Sequence, residues 1–95
     1  MPNYELRERA HEDLGRIWGY IARDNPQAAD QVIAAAYETF AVLAGQPQLG
    51  PKRKLGRRWV RFQPVTNYMN YLVYYEEKDG AVTILRVVHG ARQKF

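Results

Sequence analysis

The chain has 95 residues, no apolar run long enough to span a bilayer, and no cysteine, which excludes a membrane-spanning helix, a disulfide framework and a thiolate metal site. That length predicts one domain over residues 1–95, and the lack of cysteine fits a reducing cytoplasm. The formal net charge of +4 is unevenly spread, −3 over residues 1–44 and +7 over residues 45–95, and such a basic half calls for an acidic or polyanionic partner.

The N-terminal stretch MPNYELRERAHEDL is charged and has no apolar core, so no secretory signal is expected. Tyr4 and Leu6 alternate with polar residues and predict a short strand over Asn3 to Arg7. Ala10, Leu14, Ile17, Trp18 and Ile21 then recur at helical spacing, with Glu12 and Asp13 expected in the first turn, where carboxylates favour the helix dipole. Asp24-Asn25-Pro26 breaks that helix. Asn25 is placed to cap the next one and Pro26 to occupy its first position, where a missing N–H costs nothing. Ala29, Val32, Ile33, Ala36, Tyr37, Phe40 and Leu43 trace its apolar face until Gly45 and Pro47 end it. Two amphipathic helices so tightly linked predict an antiparallel hairpin.

The second half reads as β. The segment from Pro51 holds Lys52, Arg53, Lys54, Arg57, Arg58 and Arg61 with no acid among them, and is read as a basic loop running into the strand RWVRFQPV. Pro64 must end that strand or sit on a sheet edge. YLVYYEE and AVTILRVV follow as strands, joined by Asp79-Gly80, a pair suited to a two-residue turn whose two central positions both need positive φ. The expected architecture is α+β in the order β-α-α-β-β-β, the helix hairpin covering one face of a small antiparallel sheet. Trp18, Ile21, Val32, Ile33, Tyr37, Phe40, Leu72 and Ile84 are expected to share the core.

Arg86 lies inside the most apolar strand. Strict alternation sets Val82, Ile84, Arg86 and Val88 on one face and Thr83, Leu85, Val87 and His89 on the other. A part-buried arginine there needs a carboxylate, and Glu76, Glu77 or an acid of the first helix are the candidates. His11 and His89 are far apart in sequence and offer no metal-ligand spacing, so neither a metal nor a cofactor is expected. Trp59, Tyr68, Tyr71, Tyr74 and Tyr75 interleave with basic residues in a way that suits stacking on bases, although their period of two fits sheet packing better for most of them.

Five segments in order resemble the RelE/ParE toxins of type II toxin–antitoxin modules: Ala10 to Ala22, Asp24 to Ala29, Leu43 to Gly50, Tyr71 to Tyr75, and ILRVVHGAR from Ile84 to Arg92. The last is most similar to the ParE, or plasmid-stabilisation, branch. Asn70 and Glu76 stand where that branch often carries arginines. The resemblance implies a helix hairpin on a small antiparallel sheet. It also implies a cytoplasmic bacterial toxin that inhibits DNA gyrase without chemistry, and an antitoxin partner with an acidic C-terminal segment forming a hetero-oligomer with it. The residues expected to meet partners are Lys52, Arg53, Lys54, Arg57, Arg58, Arg61, Arg86, Arg92 and Phe95.

The RelE-type alternative is cleavage of mRNA on the ribosome. Attack by a 2′-OH needs a base, an acid and cations, and His89, Arg61 and Arg86 are the candidates. The competing expectation for His89 is a hydrogen bond to a neighbouring carbonyl that closes the last strand, with Gly90 turning the chain after it. A third reading is a non-toxic module that has kept only its antitoxin-binding surface.

Overall fold

The computed structural model describes residues 4–91. They run β1 (Tyr4–Leu6), α1 (Glu8–Ala22), α2 (Pro26–Gly45), β2 (Lys52–Leu55), β3 (Arg58–Val65), β4 (Tyr68–Lys78) and β5 (Ala81–His89). The α+β architecture and the helix hairpin are as the sequence predicts. Two features are not. The basic loop contains a strand, β2, which pairs antiparallel with the start of β3. And the five-stranded sheet, ordered β1-β5-β4-β3-β2, is mixed, because β1 lies parallel to β5.

The helices start where local chemistry tells them to. Asn25 is extended, its side chain accepts from the Ala28 N–H at 3.1 Å, and Pro26 opens α2. The first helix begins earlier than expected. Arg7, extended and still tied to β5 through its N–H to the Ile84 carbonyl, is its N-cap residue without a side-chain cap. Only Glu8 therefore occupies the first turn, and Asp13 lies a turn further in, free for another use.

Three two-residue turns make β2 to β5 a meander. Gly56 (φ 64°), Asn67 (φ 69°), and Asp79 and Gly80 (φ 53° and 82°) supply the positive φ values. Pro64 lies past the reach of β2, which pairs only with Arg58 to Arg61, so it removes no ladder hydrogen bond on that side.

The helix hairpin covers one face of the sheet. Ala10, Leu14, Phe40 and Leu43 pack there with Val73, Tyr75, Ile84 and Val87. Thr39 pins the β3–β4 turn to α2, its hydroxyl accepting from the Thr66 N–H at 3.1 Å. Val60, Tyr74, Leu85 and Val88 form a second buried cluster, with Leu55, Phe62 and Leu72 at its margin. Not all residues expected in the first core belong to it, and Ile21 is half-buried outside both clusters. Leu72 joins the second cluster. Trp18 is 43% exposed, its indole N–H bridging the two helices to Asp30, and Tyr37 is 39% exposed with one edge on Phe40.

Candidate functional site

The β2–β3 hairpin sorts the basic residues. Residues directly opposed in an antiparallel ladder share a face, and successive residues alternate. The register pairs Lys52 with Arg61, Arg53 with Val60, Lys54 with Trp59 and Leu55 with Arg58. One face therefore carries Lys52, Lys54, Trp59 and Arg61, and the other carries Arg53, Leu55, Arg58 and Val60. On the second face the arginines are engaged. Arg53 donates to the Tyr74 hydroxyl at 3.0 Å and lies 6.0 Å from the centre of the Phe62 ring. Arg58 donates to Glu76 at 2.7 Å, and this bond holds the Glu76 carboxyl below its usual range. Arg57 stands exposed in the turn. On the first face Lys54 lies 5.9 Å from the centre of the Trp59 ring, and the indole is 60% exposed.

Arg61 points back to the chain that feeds the hairpin. It donates to the carbonyls of Gly50 at 2.7 Å and Gln48 at 3.3 Å. Tyr75, opposite Arg61 on β4, completes a clamp on the same segment: its hydroxyl donates to the Pro47 carbonyl and accepts from the Gly50 N–H, each at 2.9 Å. Burial pushes the Tyr75 phenol up, since ionising it would place a charge away from water. Gly50 is required by close approach, because a Cβ there would stand 2.3 Å from the Phe62 carbonyl oxygen.

Arg86 has the acid of the first helix as its partner. Asp13 Oδ2 accepts from Arg86 Nε at 2.7 Å and from the Val87 N–H at 2.9 Å. Asp13 Oδ1 accepts from Arg86 Nη2 at 2.9 Å and Arg16 Nη1 at 3.2 Å. The bond to Asp13 raises the Arg86 pKa further. The position follows from β1, whose pairing with β5 stops at Ile84. Beyond it the edge of β5 is open, and Asp13 meets the Val87 N–H there. Arg86, only 6% exposed, is therefore an internal ion-pair partner and is not presented to another molecule, which corrects its expected place among the partner-binding cations. A register shift at Tyr74/Tyr75 also breaks the expected alternation of β5: Val87 packs with Ile84, and Val88 with Leu85.

His89 ends β5 opposite Tyr71, their rings edge to face at 5.3 Å. Its Nδ1 accepts from the Ala91 N–H at 3.2 Å, so the ring closes the strand as an acceptor and not through a carbonyl. Gly90 donates its N–H to the Asn70 carbonyl, and a Cβ on it would press within 3.3 Å of Leu72. Its small size, rather than a left-handed φ, is what the turn uses. Arg92 and Phe95 lie outside the described residues.

The three nuclease candidates are not brought together. Arg61 and His89 flank β4 on different strands and are four residues apart along it, about 14 Å along the strand and about 10 Å across the sheet. Arg86 is buried in a two-pronged ion pair with Asp13. Among the described residues no group of acids and histidines is placed to hold a metal ion, and no helix is long and apolar enough to cross a membrane.

The family described as ParE toxin of type II toxin-antitoxin system, parDE, matches residues 4–94. The chain belongs to this family. Its fold is similar to that of a chain in a solved structure of the chromosomal ParDE TA system from P. aeruginosa, with a TM-score of 0.74 and 20% identity over 94% of this chain and 96% of that one. No curated protein matches the sequence.

Sequence reasoning missed two residues that shape this ParE family member's surface, Tyr75 and Gly50, and left a third unspecified. Asp13 was covered by the expectation that an acid of the first helix could partner Arg86, and its place one position before Leu14 on the apolar stripe was a signal that it turns inward. Tyr75 was read as sheet packing, and nothing local marks its hydroxyl as the clamp on Pro47 and Gly50. Gly50 carried a weak signal, a glycine directly before proline at the entry to a strand.

Proposed function

We propose that this ParE family toxin arrests growth by binding DNA gyrase in the cytoplasm, without chemistry of its own, and is neutralised by a cognate antitoxin. The observation that carries this reading is the family match across residues 4–94. Its support in the geometry is negative for catalysis and positive for binding. The candidates for RNA cleavage are dispersed or engaged, while the β2–β3 hairpin presents a dense set of surface cations. An antitoxin with an acidic segment suits the arginine side of that hairpin, at the exposed Arg57 and at Arg53 and Arg58, whose bonds to the Tyr74 hydroxyl and to Glu76 it can replace, and would order on binding. Arg92 and Phe95 remain proposed contacts to the larger target.

The test is to induce the chain alone in bacteria and follow DNA synthesis, protein synthesis and the DNA-damage response separately. Early loss of DNA synthesis with a damage response is expected, together with inhibition of gyrase by the purified protein. An early stop in translation with cut mRNA would overturn the gyrase reading. Unimpaired growth at full expression would leave only an antitoxin-binding module.

A further inference from the structure

The face of the β2–β3 hairpin that carries Lys52, Lys54 and Trp59 is not used by the reading above. The hairpin is a two-stranded ribbon at the sheet edge, held in place by the Tyr75 and Arg61 clamp on the segment before it. Large aromatic side chains bury most of their surface in ordinary packing, yet the Trp59 indole is 60% exposed. Lys52 and Lys54 are exposed on the same face and make no ion pair among the described residues, in contrast to Arg58 and Arg86. Beside the indole lies a cleft of ≈ 260 Å³ whose walls include Gln48, Arg61, Glu76 and Glu77.

We propose that this face binds a single-stranded nucleic acid, one base stacking on the Trp59 indole and neighbouring phosphates meeting Lys52 and Lys54. The two lysines are two residues apart on one strand, about 7 Å, a spacing that suits successive phosphates of an extended strand. Trp59, directly opposite Lys54, offers a π-face that any base can use, so binding is tolerant of sequence. The cleft supplies Gln48 and the Glu77 carboxylate as acceptors for amino groups on a base edge, Glu76 being held by Arg58. An acidic peptide fits the lysines equally well but not the rest. Carboxylates are disfavoured at the negative face of an indole, and two glutamates already line the cleft. A duplex hides its base faces and cannot stack. No group on the face is specific to a 2′-OH, so DNA and RNA strands are equivalent ligands.

The experiment uses the purified chain with Trp18→Phe, which leaves Trp59 as its one tryptophan. Oligothymidylate and oligouridylate of about 12 nucleotides are titrated while the indole fluorescence is read. Both should quench it, with affinities within several-fold of each other. Trp59→Ala, followed by anisotropy of labelled oligonucleotide, should weaken binding roughly tenfold or more, and Trp59→Phe should restore part of it. Lys52→Ala and Lys54→Ala should each lower the slope of log affinity against log salt by about 0.7. All these positions are exposed, and a far-UV circular dichroism spectrum checks that each variant folds. The proposal is overturned if Trp59→Ala binds as well as the parent, or if a duplex of the same length binds as tightly. It also fails if a polyglutamate peptide quenches the indole equally, or if one sugar is preferred more than tenfold.

Discussion

Asp13 shows how one carboxylate can join two parts of the chain that are far apart in sequence. It sits on α1, and its four donors come from Arg16, both forks of Arg86, and the backbone of Val87. Charges this buried are costly to hold, and their geometry here leaves no lone pair idle. Asp13→Ala strands the Arg86 guanidinium and the Val87 N–H together, so a loss of about 3–5 kcal/mol in urea unfolding is expected. Adding Arg86→Met to that variant should recover a large part of the loss, which a purely local effect of Asp13 on helix α1 would not allow. Tyr75 makes a different demand. Its raised pKa means that the folded state holds the phenolic proton more tightly than the unfolded chain does. The resulting stability is fully present below the ordinary value of 10.0 and is lost as the pH climbs through the raised one. An alkaline titration of stability should show that loss in the parent and lack it in Tyr75→Phe. The same variant should be less stable at neutral pH by about 1–3 kcal/mol, because the Gly50 N–H and Pro47 carbonyl lose their partner.

The elements differ in how openly the sequence states them. The α2 start is fully local: Asn25 caps, Pro26 follows, and both lie within one turn. Asn25→Ala should therefore cost about 1 kcal/mol in thermal or urea unfolding and leave the fold unchanged. A negligible change would mean that packing of Ala29 and Val32 alone sets the helix start. The β4–β5 turn is equally local, since Asp79 and Gly80 both take the positive φ their types tolerate. β2 was illegible for the opposite reason. Three of its four residues are charged, Leu55 alone is apolar, and its existence depends on pairing with β3 across the Gly56 turn. Edge strands are often written this way, with charge discouraging a further strand from adding on. The break in alternation along β5 was hidden too. All its residues from Ile84 to Val88 except Arg86 are apolar, so no polarity pattern marks where the register shifts.

At the scale of the whole molecule, the sheet separates what the sequence places close together. Arg86 and His89 are three residues apart, yet one is committed to Asp13 within the fold and the other closes the strand against Tyr71. The basic run from Lys52 to Arg61 is divided among two faces of a ribbon and a clamp on the preceding loop. Proximity along the chain therefore overstated the candidate site, and only the register shows which cations are free to meet another molecule. This separation gives the two toxic mechanisms opposite signatures. For a toxin that acts by binding gyrase, His89→Ala removes an edge-to-face contact and one local hydrogen bond, neither of which touches a target. Growth arrest should persist at equal expression, while Arg92→Ala, which removes a proposed target contact, should weaken it more. For a ribosome-dependent nuclease the order reverses, because loss of the one imidazole near the Gly90 turn removes an acid or base from the reaction. The measurement is colony survival against toxin level for the two variants, with immunoblots to match expression and retained antitoxin binding to confirm the fold. If His89→Ala abolishes toxicity and Arg92→Ala does not, the gyrase mechanism is wrong for this chain.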